Sequence, residues 1–138
     1  MKSIFLDSNI IIDLLSDREP FSEEAARIFD LSSKGKSKLY VSALSYNNIY
    51  YILRRQFSHS ETIKMLTALN DWTEMLDASK EIVNKSLQSE FNDFEDAIQY
   101  YTALSYENID CIVTRNTKDY KKSILSVMTP TEVLSCLW

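Results

Sequence analysis

Residues 3–15 read SIFLDSNIIIDLL, a strand pattern that passes straight into a helix pattern. Residues 3–6 form a short apolar run that stops at Asp7, the pattern of a buried strand with an acid at its carboxyl end. From Asn9 to Leu15 the chain is apolar on most sides. Asp7, Ser8 and Asn9 are cap-forming residue types, so a short helix is expected to follow at once. Outward from here, strands are predicted at 39–41, 74–76, 111–113 and 127–128. Between them lie helical patterns: one opened by Pro20 and stopped by Gly35, one capped by Ser42 or Ser45, and one begun by Ser60. Further helices are predicted at 78–89, at 97–104 behind Asp93 and Asp96, and from Pro130. Strands alternating with helices argue for an α/β fold, a mainly parallel central sheet between helical layers, with ligands at the carboxyl ends of the strands.

Composition narrows the field. The chain has 138 residues, 45% hydrophobic and 25% charged, with no linker or repeat, which is read as one continuous domain, 1–138. One glycine and two prolines argue against a turn-rich β-sandwich, and a single glycine cannot spell a phosphate-cradling glycine loop. Cys111 and Cys136 are too few for a disulfide framework or a cysteine zinc site. No apolar run approaches the length of a membrane span and no signal-like segment develops, so the expectation is a reduced cytoplasmic protein with no membrane partner. The formal charge of −5 argues by itself against a nucleic-acid binder.

The chemistry is expected at the predicted strand ends. Asp7-Ser8-Asn9, Ser42, and Thr114-Arg115-Asn116 with Asp119 each follow a strand, and Asp93-Phe94-Glu95-Asp96 opens a helix. A parallel sheet would gather these segments along one edge and bring Asp7, Asp96 and Asp119 together. Clustered carboxylates repel unless a cation sits among them, and an oxygen-only donor set selects Mg²⁺ or Mn²⁺ over zinc. Such an ion can activate water against a phosphodiester. Each acid also has a plainer reading: Asp7 as a helix cap, Asp93 and Asp96 as a reciprocal capping pattern, Asp119 as a turn residue. Asp13 and Asp17 read as solvent-facing charges, lone His59 as a surface residue, and Cys111 as a core residue. The tyrosines at 46, 50, 51, 100 and 101 fit core or interface better than RNA stacking. Arg115, Lys118, Lys121 and Lys122 cluster beside Asn116 and Asp119, where Arg115 and Lys118 could hold the phosphates that flank a scissile one.

The stretches LDSNIIIDLL (6–15), VSALSYNNIYYILRR (41–55), DFEDAIQYYTAL (93–104) and VTRNTKDY (113–120) resemble the signature regions of PIN domains, most nearly the bacterial single-domain VapC-type toxins. The resemblance implies a Rossmann-like three-layer α/β/α sandwich with an acidic, Mg²⁺- or Mn²⁺-dependent ribonuclease site. It also implies an RNA substrate, a cognate antitoxin and a homodimer. Asp7 and Asp96 match the first acid and the helix-opening acid; Asn9 and Thr114 match polar companions. Two positions depart from the family pattern: Asn48 stands where a glutamate is common, and Asn116 where an aspartate is common, with Asp119 able to take over. The function so implied is a metal-dependent endoribonuclease with Asp7, Asp96 and Asp119 as acids and Asn9, Asn48, Asp93, Thr114 and Asn116 as support. The alternative is a catalytically degraded RNA- or protein-binding module.

Overall fold

The sheet is built outward from β1 (Lys2–Leu6), which pairs with β2 (Ser37–Ser42) on one side and β4 (Cys111–Val113) on the other. β3 (Glu74–Leu76) and β5 (Ser126–Met128) close the two edges, giving the order β3-β2-β1-β4-β5 with every pairing parallel. The structure is a computed structural model and describes residues 1–137; Trp138 lies outside the described residues.

Because successive side chains leave a strand on opposite faces, the central strands feed two cores. Ile4 and Leu6, Leu39 and Val41, and Cys111 and Val113 point to one face. There they meet α1 (Ser8–Leu15), α2 (Ser22–Ser33), α3 (Ala43–Leu53), α4 (His59–Trp72) and α7 (Pro130–Cys136) through Ile11, Ile28, Ile49, Leu69 and Val133. Phe5, Tyr40 and Ile112 point the other way, against Tyr100 and Ala103 of α6 (Phe94–Ser105). α5 (Lys80–Leu87) packs on α6. Both faces of the sheet are therefore covered, which explains why its central strands read as continuous apolar runs. None of the described helices is long and apolar enough to cross a membrane.

Two of the expected helix starts, those of α2 and α4, move. α2 begins at Ser22 rather than Pro20, because the chain first closes a turn in which the amides of Phe21 and Ser22 donate to the Arg18 carbonyl at 2.9 and 2.8 Å. α4 is capped by Ser58, not opened at Ser60. Ser58 Oγ accepts from Glu61 N at 3.1 Å and Glu61 Oε1 accepts from Ser58 N at 3.0 Å, a reciprocal pair that Ser60 has no acid to make. Of the two caps expected for α3, Ser42 is the one used, its Oγ accepting from Leu44 N at 3.3 Å.

The order of the strands fixes where a ligand can sit. From β1 the chain builds one way to β2 and β3, then crosses back over β1 to build β4 and β5. The carboxyl ends of β1 and β4 therefore flank a crevice that no connection covers. Phe5 holds this arrangement from below, buried between Tyr40, Tyr100 and Ile112. Phe5→Ala is expected to cost about 3–5 kcal/mol, read as a lower urea midpoint. Leu87→Ala, at an exposed helix end, should stay within about 0.5 kcal/mol of the parent.

Candidate active site

Asp7 follows β1 in an extended conformation, and its amide donates to Val113 O at 3.0 Å, tying the ends of β1 and β4 together. The carboxylate is buried. Its Oδ1 caps α1 by accepting from Asn9 N at 3.5 Å, so the capping role expected of it is real. That role does not exhaust it. Thr114 Oγ1 donates to Oδ2 at 2.8 Å, Tyr120 Oη to Oδ2 at 3.2 Å, and Gln99 Nε2 to Oδ1 at 3.2 Å. Gln99 is itself fixed through Oε1, which accepts from Ser8 N at 3.0 Å and Ser45 Oγ at 3.4 Å. Every donor to Asp7 is neutral. They orient the carboxylate and leave its charge uncompensated.

The second acid arrives from α6. Asp93 caps this helix, its Oδ1 accepting from Asp96 N at 3.0 Å, and the dipole of the first turn favours the acids there. The reciprocal half of the expected capping pattern does not form, because the Asp96 carboxylate turns to Tyr120 Oη, 3.5 Å away. Tyr120 thus stands between Asp7 and Asp96 with one proton for two carboxylates. Burial, and then those same charges, push its phenol far above the ordinary value and keep it a donor. Burial, and then the charges of Asp7, Asp93, Asp119 and Glu95, push the Asp96 carboxyl up to about 7.

Asn48, where the family pattern suggested a glutamate, instead holds one. Its Nδ2 donates to Glu95 Oε2 at 2.5 Å, and Ser8 Oγ donates to the same oxygen at 3.2 Å. Burial pushes the Glu95 carboxyl above its ordinary range. A carboxylate therefore reaches this corner of the site from α6 instead of α3.

Asp7, Asn9, Asn48, Asp93, Glu95, Asp96, Asn116 and Asp119 line one cleft of about 310 Å³, together with Arg18. Asn9 Nδ2 donates to Thr114 Oγ1 at 3.4 Å, while its buried Oδ1 has no hydrogen-bond donor. Asn116 and Asp119 are exposed at the rim. An adjoining cleft of about 470 Å³ shares Asp93, Asp96 and Asp119 and adds Lys118, Lys121 and Lys122. Among the described residues no three acidic, histidine or cysteine side chains already form an ion cage. Mg²⁺ does not need one, since it commonly keeps several waters and takes one or two carboxylates directly. An acceptor without a donor, an all-oxygen donor set and a carboxyl raised by burial and then by its neighbours' charges all suit such an ion.

Two expectations for charged residues are corrected. Asp13 is not solvent-facing: it is 1% exposed, on the stripe of α1 shared with Ile10. It accepts from Arg115 Nε at 2.6 Å and Nη2 at 3.2 Å. Arg115, expected to meet RNA phosphates, is thereby turned inward, its guanidinium carbon 3.9 Å from the Phe21 ring centre. Asp17 is exposed as expected, and Lys118 is exposed at the cleft rim. His59 opens α4 against Tyr50, with the Tyr50 hydroxyl 2.8 Å from its Nδ1. Tyr100 is a core residue, packed on Phe91.

Ser8 and Glu95 lie in the segments expected to carry the chemistry but had no role of their own there, and Gln99, Tyr120 and Arg18 were not expected at the site. A signal existed for Gln99: it lies three residues after Asp96, a lone amide on the small and apolar face of α6.

The chain matches the profile of the family described as PIN domain over residues 3–118. Solved structures with the same fold include a toxin–antitoxin complex from Klebsiella pneumoniae, 25% identical, with a TM-score of 0.65 over 92% of this chain and 97% of that one. VapBC2 from Rickettsia felis, bound to a promoter DNA fragment, is 15% identical, with a TM-score of 0.69 over 92% of this chain and 98% of that one. VapC20 of Mycobacterium tuberculosis, a sarcin–ricin loop cleaving toxin, is 14% identical, with a TM-score of 0.63 over 79% and 86%. No curated protein matches the sequence. With the profile spanning most of the chain and a five-stranded parallel sheet in the order β3-β2-β1-β4-β5, the protein belongs to the PIN domain family.

Proposed function

We propose that this chain is a Mg²⁺- or Mn²⁺-dependent endoribonuclease acting as the toxin of a toxin–antitoxin pair. The observation that carries the reading is the convergence of Asp7 and Asp96, remote in sequence, on the single hydroxyl of Tyr120 at the carboxyl edge of the sheet. Asp7 and Asp96 would hold the ion, with Asp119 at the rim and Asn9 Oδ1 as a neutral acceptor. A bound divalent ion supplies a Lewis acid that polarises the phosphodiester and lowers the pKa of water. Thr114, Gln99 and Tyr120 keep the Asp7 oxygens aimed, and Asn48 and Ser8 do the same for Glu95. Glu95, its affinity for protons raised by burial, is the carboxylate suited to accept the proton of the attacking water. The water oxygen bonds to phosphorus, the bond to the leaving O3′ breaks, O3′ takes up a proton from solvent, and the products are a 3′-hydroxyl and a 5′-phosphate. Complexes such as the VapBC2 and Klebsiella assemblies support an antitoxin as partner, and the family resemblance supports a homodimer and a cytoplasmic setting.

Purified protein and an Asp7→Asn/Asp96→Asn variant, each incubated with mixed RNA and Mg²⁺, should separate the nuclease from a degraded binding module. The parent is expected to cut and the variant not, with EDTA silencing the parent. Equal cutting by both, or cutting that ignores the chelator, would sink the carboxylate mechanism. Gln99→Leu removes one donor from Asp7 and should lower activity about 10- to 100-fold.

The Asp96 shift sets a pH dependence. In the folded, metal-free chain Asp96 keeps its proton up to about 7, whereas its ordinary value is 3.8. The folded state thus binds more protons between those values, and its stability falls as pH rises through that window. In EDTA the parent should melt at a lower temperature at pH 8 than at pH 5.5, by a margin that Asp96→Asn reduces. Adding Mg²⁺ should raise the Tm more at pH 8 than at pH 5.5, which calorimetry would show.

A further inference from the structure

We propose that Arg18 is the phosphate-binding cation of the cleft, its guanidinium taking a non-bridging oxygen of the phosphodiester presented to the carboxylates. This rests on the nuclease reading above. Among the described residues that line the cleft, Arg18 is the one cation, set with Asp7, Asp93, Glu95, Asp96 and Asp119.

Its charge is not consumed by the fold. The nearby anion, Asp13, accepts two hydrogen bonds from Arg115, at 2.6 and 3.2 Å, whereas Arg18 Nη1 stands 3.6 Å from Asp13 Oδ1, a distance for attraction without a hydrogen bond. One buried carboxylate between two guanidiniums leaves one positive charge over. The more exposed partner presents it: the Arg18 side chain is 43% exposed and that of Arg115 23%. Among the described residues the ion pair of Arg18 is with Asp13 and not with a cleft carboxylate, and Asp7 and Glu95 take neutral donors.

The backbone beneath it is fixed. Asp17 adopts φ of 50°, in the left-handed region, and turns the chain after α1. Arg18 N then donates to Asp13 O at 3.0 Å, and Arg18 O accepts from Phe21 N and Ser22 N. The side chain thus leaves a braced corner and lines the cleft while its Nη1 stays near Asp13. A planar fork of donors matches the oxygens of a phosphate, and the loose tether to Asp13 leaves N–H groups free to make that match.

The test has a binding arm and a cleavage arm. Binding of single-stranded RNA in EDTA, measured by fluorescence anisotropy over a range of salt, should show a slope about 0.7 smaller in magnitude for Arg18→Ala than for the parent, the loss of one phosphate contact. In Mg²⁺, kcat/KM should fall about 10- to 100-fold, while the Mg²⁺ concentration for half-maximal activity stays unchanged. Arg18→Lys should keep the salt slope and recover only part of the rate. Should Arg18→Ala fold poorly, Arg18→Gln keeps most of the stem and must show the same loss. Equal slopes and equal rates overturn the proposal while leaving the nuclease reading intact. A changed Mg²⁺ requirement with an unchanged salt slope overturns it too, because Arg18 would then act through the acids. A parent that binds RNA with the slope difference but never cuts sinks the nuclease reading and upholds the role of Arg18.

Discussion

A carboxylate buried at the end of the central strand constrains everything around it. Asp7 cannot be left bare in a desolvated position, and the chain supplies it with donors from three separate places: Thr114 after β4, Gln99 on α6, and Tyr120 in the short 3-10 turn Thr117–Tyr120. Those bonds draw α6 and the loop after β4 to the end of β1. Remove the acid and the hydroxyl, amide and phenol that face it lose their common acceptor.

Asp13, on the same short helix, shows the alternative solution. It is equally buried, but Arg115 neutralises it through a two-pronged pair and seals the arrangement against Phe21. Asp7 has only neutral donors, so its negative charge stays available to a ligand. The contrast separates a structural acid from a chemical one better than burial does. It also explains why one arginine, Arg115, is spent inside the fold while the second, Arg18, reaches the cleft.

The alternation of strands and helices was legible because period and punctuation are local: apolar runs stopping at Asp7, Ser42 and Thr114 each mark a strand end that the structure keeps. Two boundaries were misplaced for equally local reasons, one by choosing Pro20 over the turn that precedes α2, the other by choosing Ser60 over the serine with a glutamate three residues on. The proposed acids at 7, 96 and 119 do line a common cleft. What the sequence concealed is pairing across elements. That Asn48 steadies Glu95, that Gln99 braces Asp7, and that Arg115 turns inward to Asp13 depend on side-chain directions no spacing encodes.

The excess of acid over base can be reconsidered on these terms. A formal charge of −5 spread evenly would repel a polyanion, but here five acids are gathered in one crevice, and burial, together with the charges of the others, raises the affinity of Asp96 for its proton. Such a cluster is a standing demand for a cation. The lysines at 118, 121 and 122 answer part of it along the neighbouring wall, although Lys122 is drawn to Glu90. Arg18, three residues beyond the first motif, lines the cleft with those acids. An acidic protein can therefore attract a phosphodiester locally while its remaining surface discourages nonspecific contact, because screening confines each effect to about a Debye length.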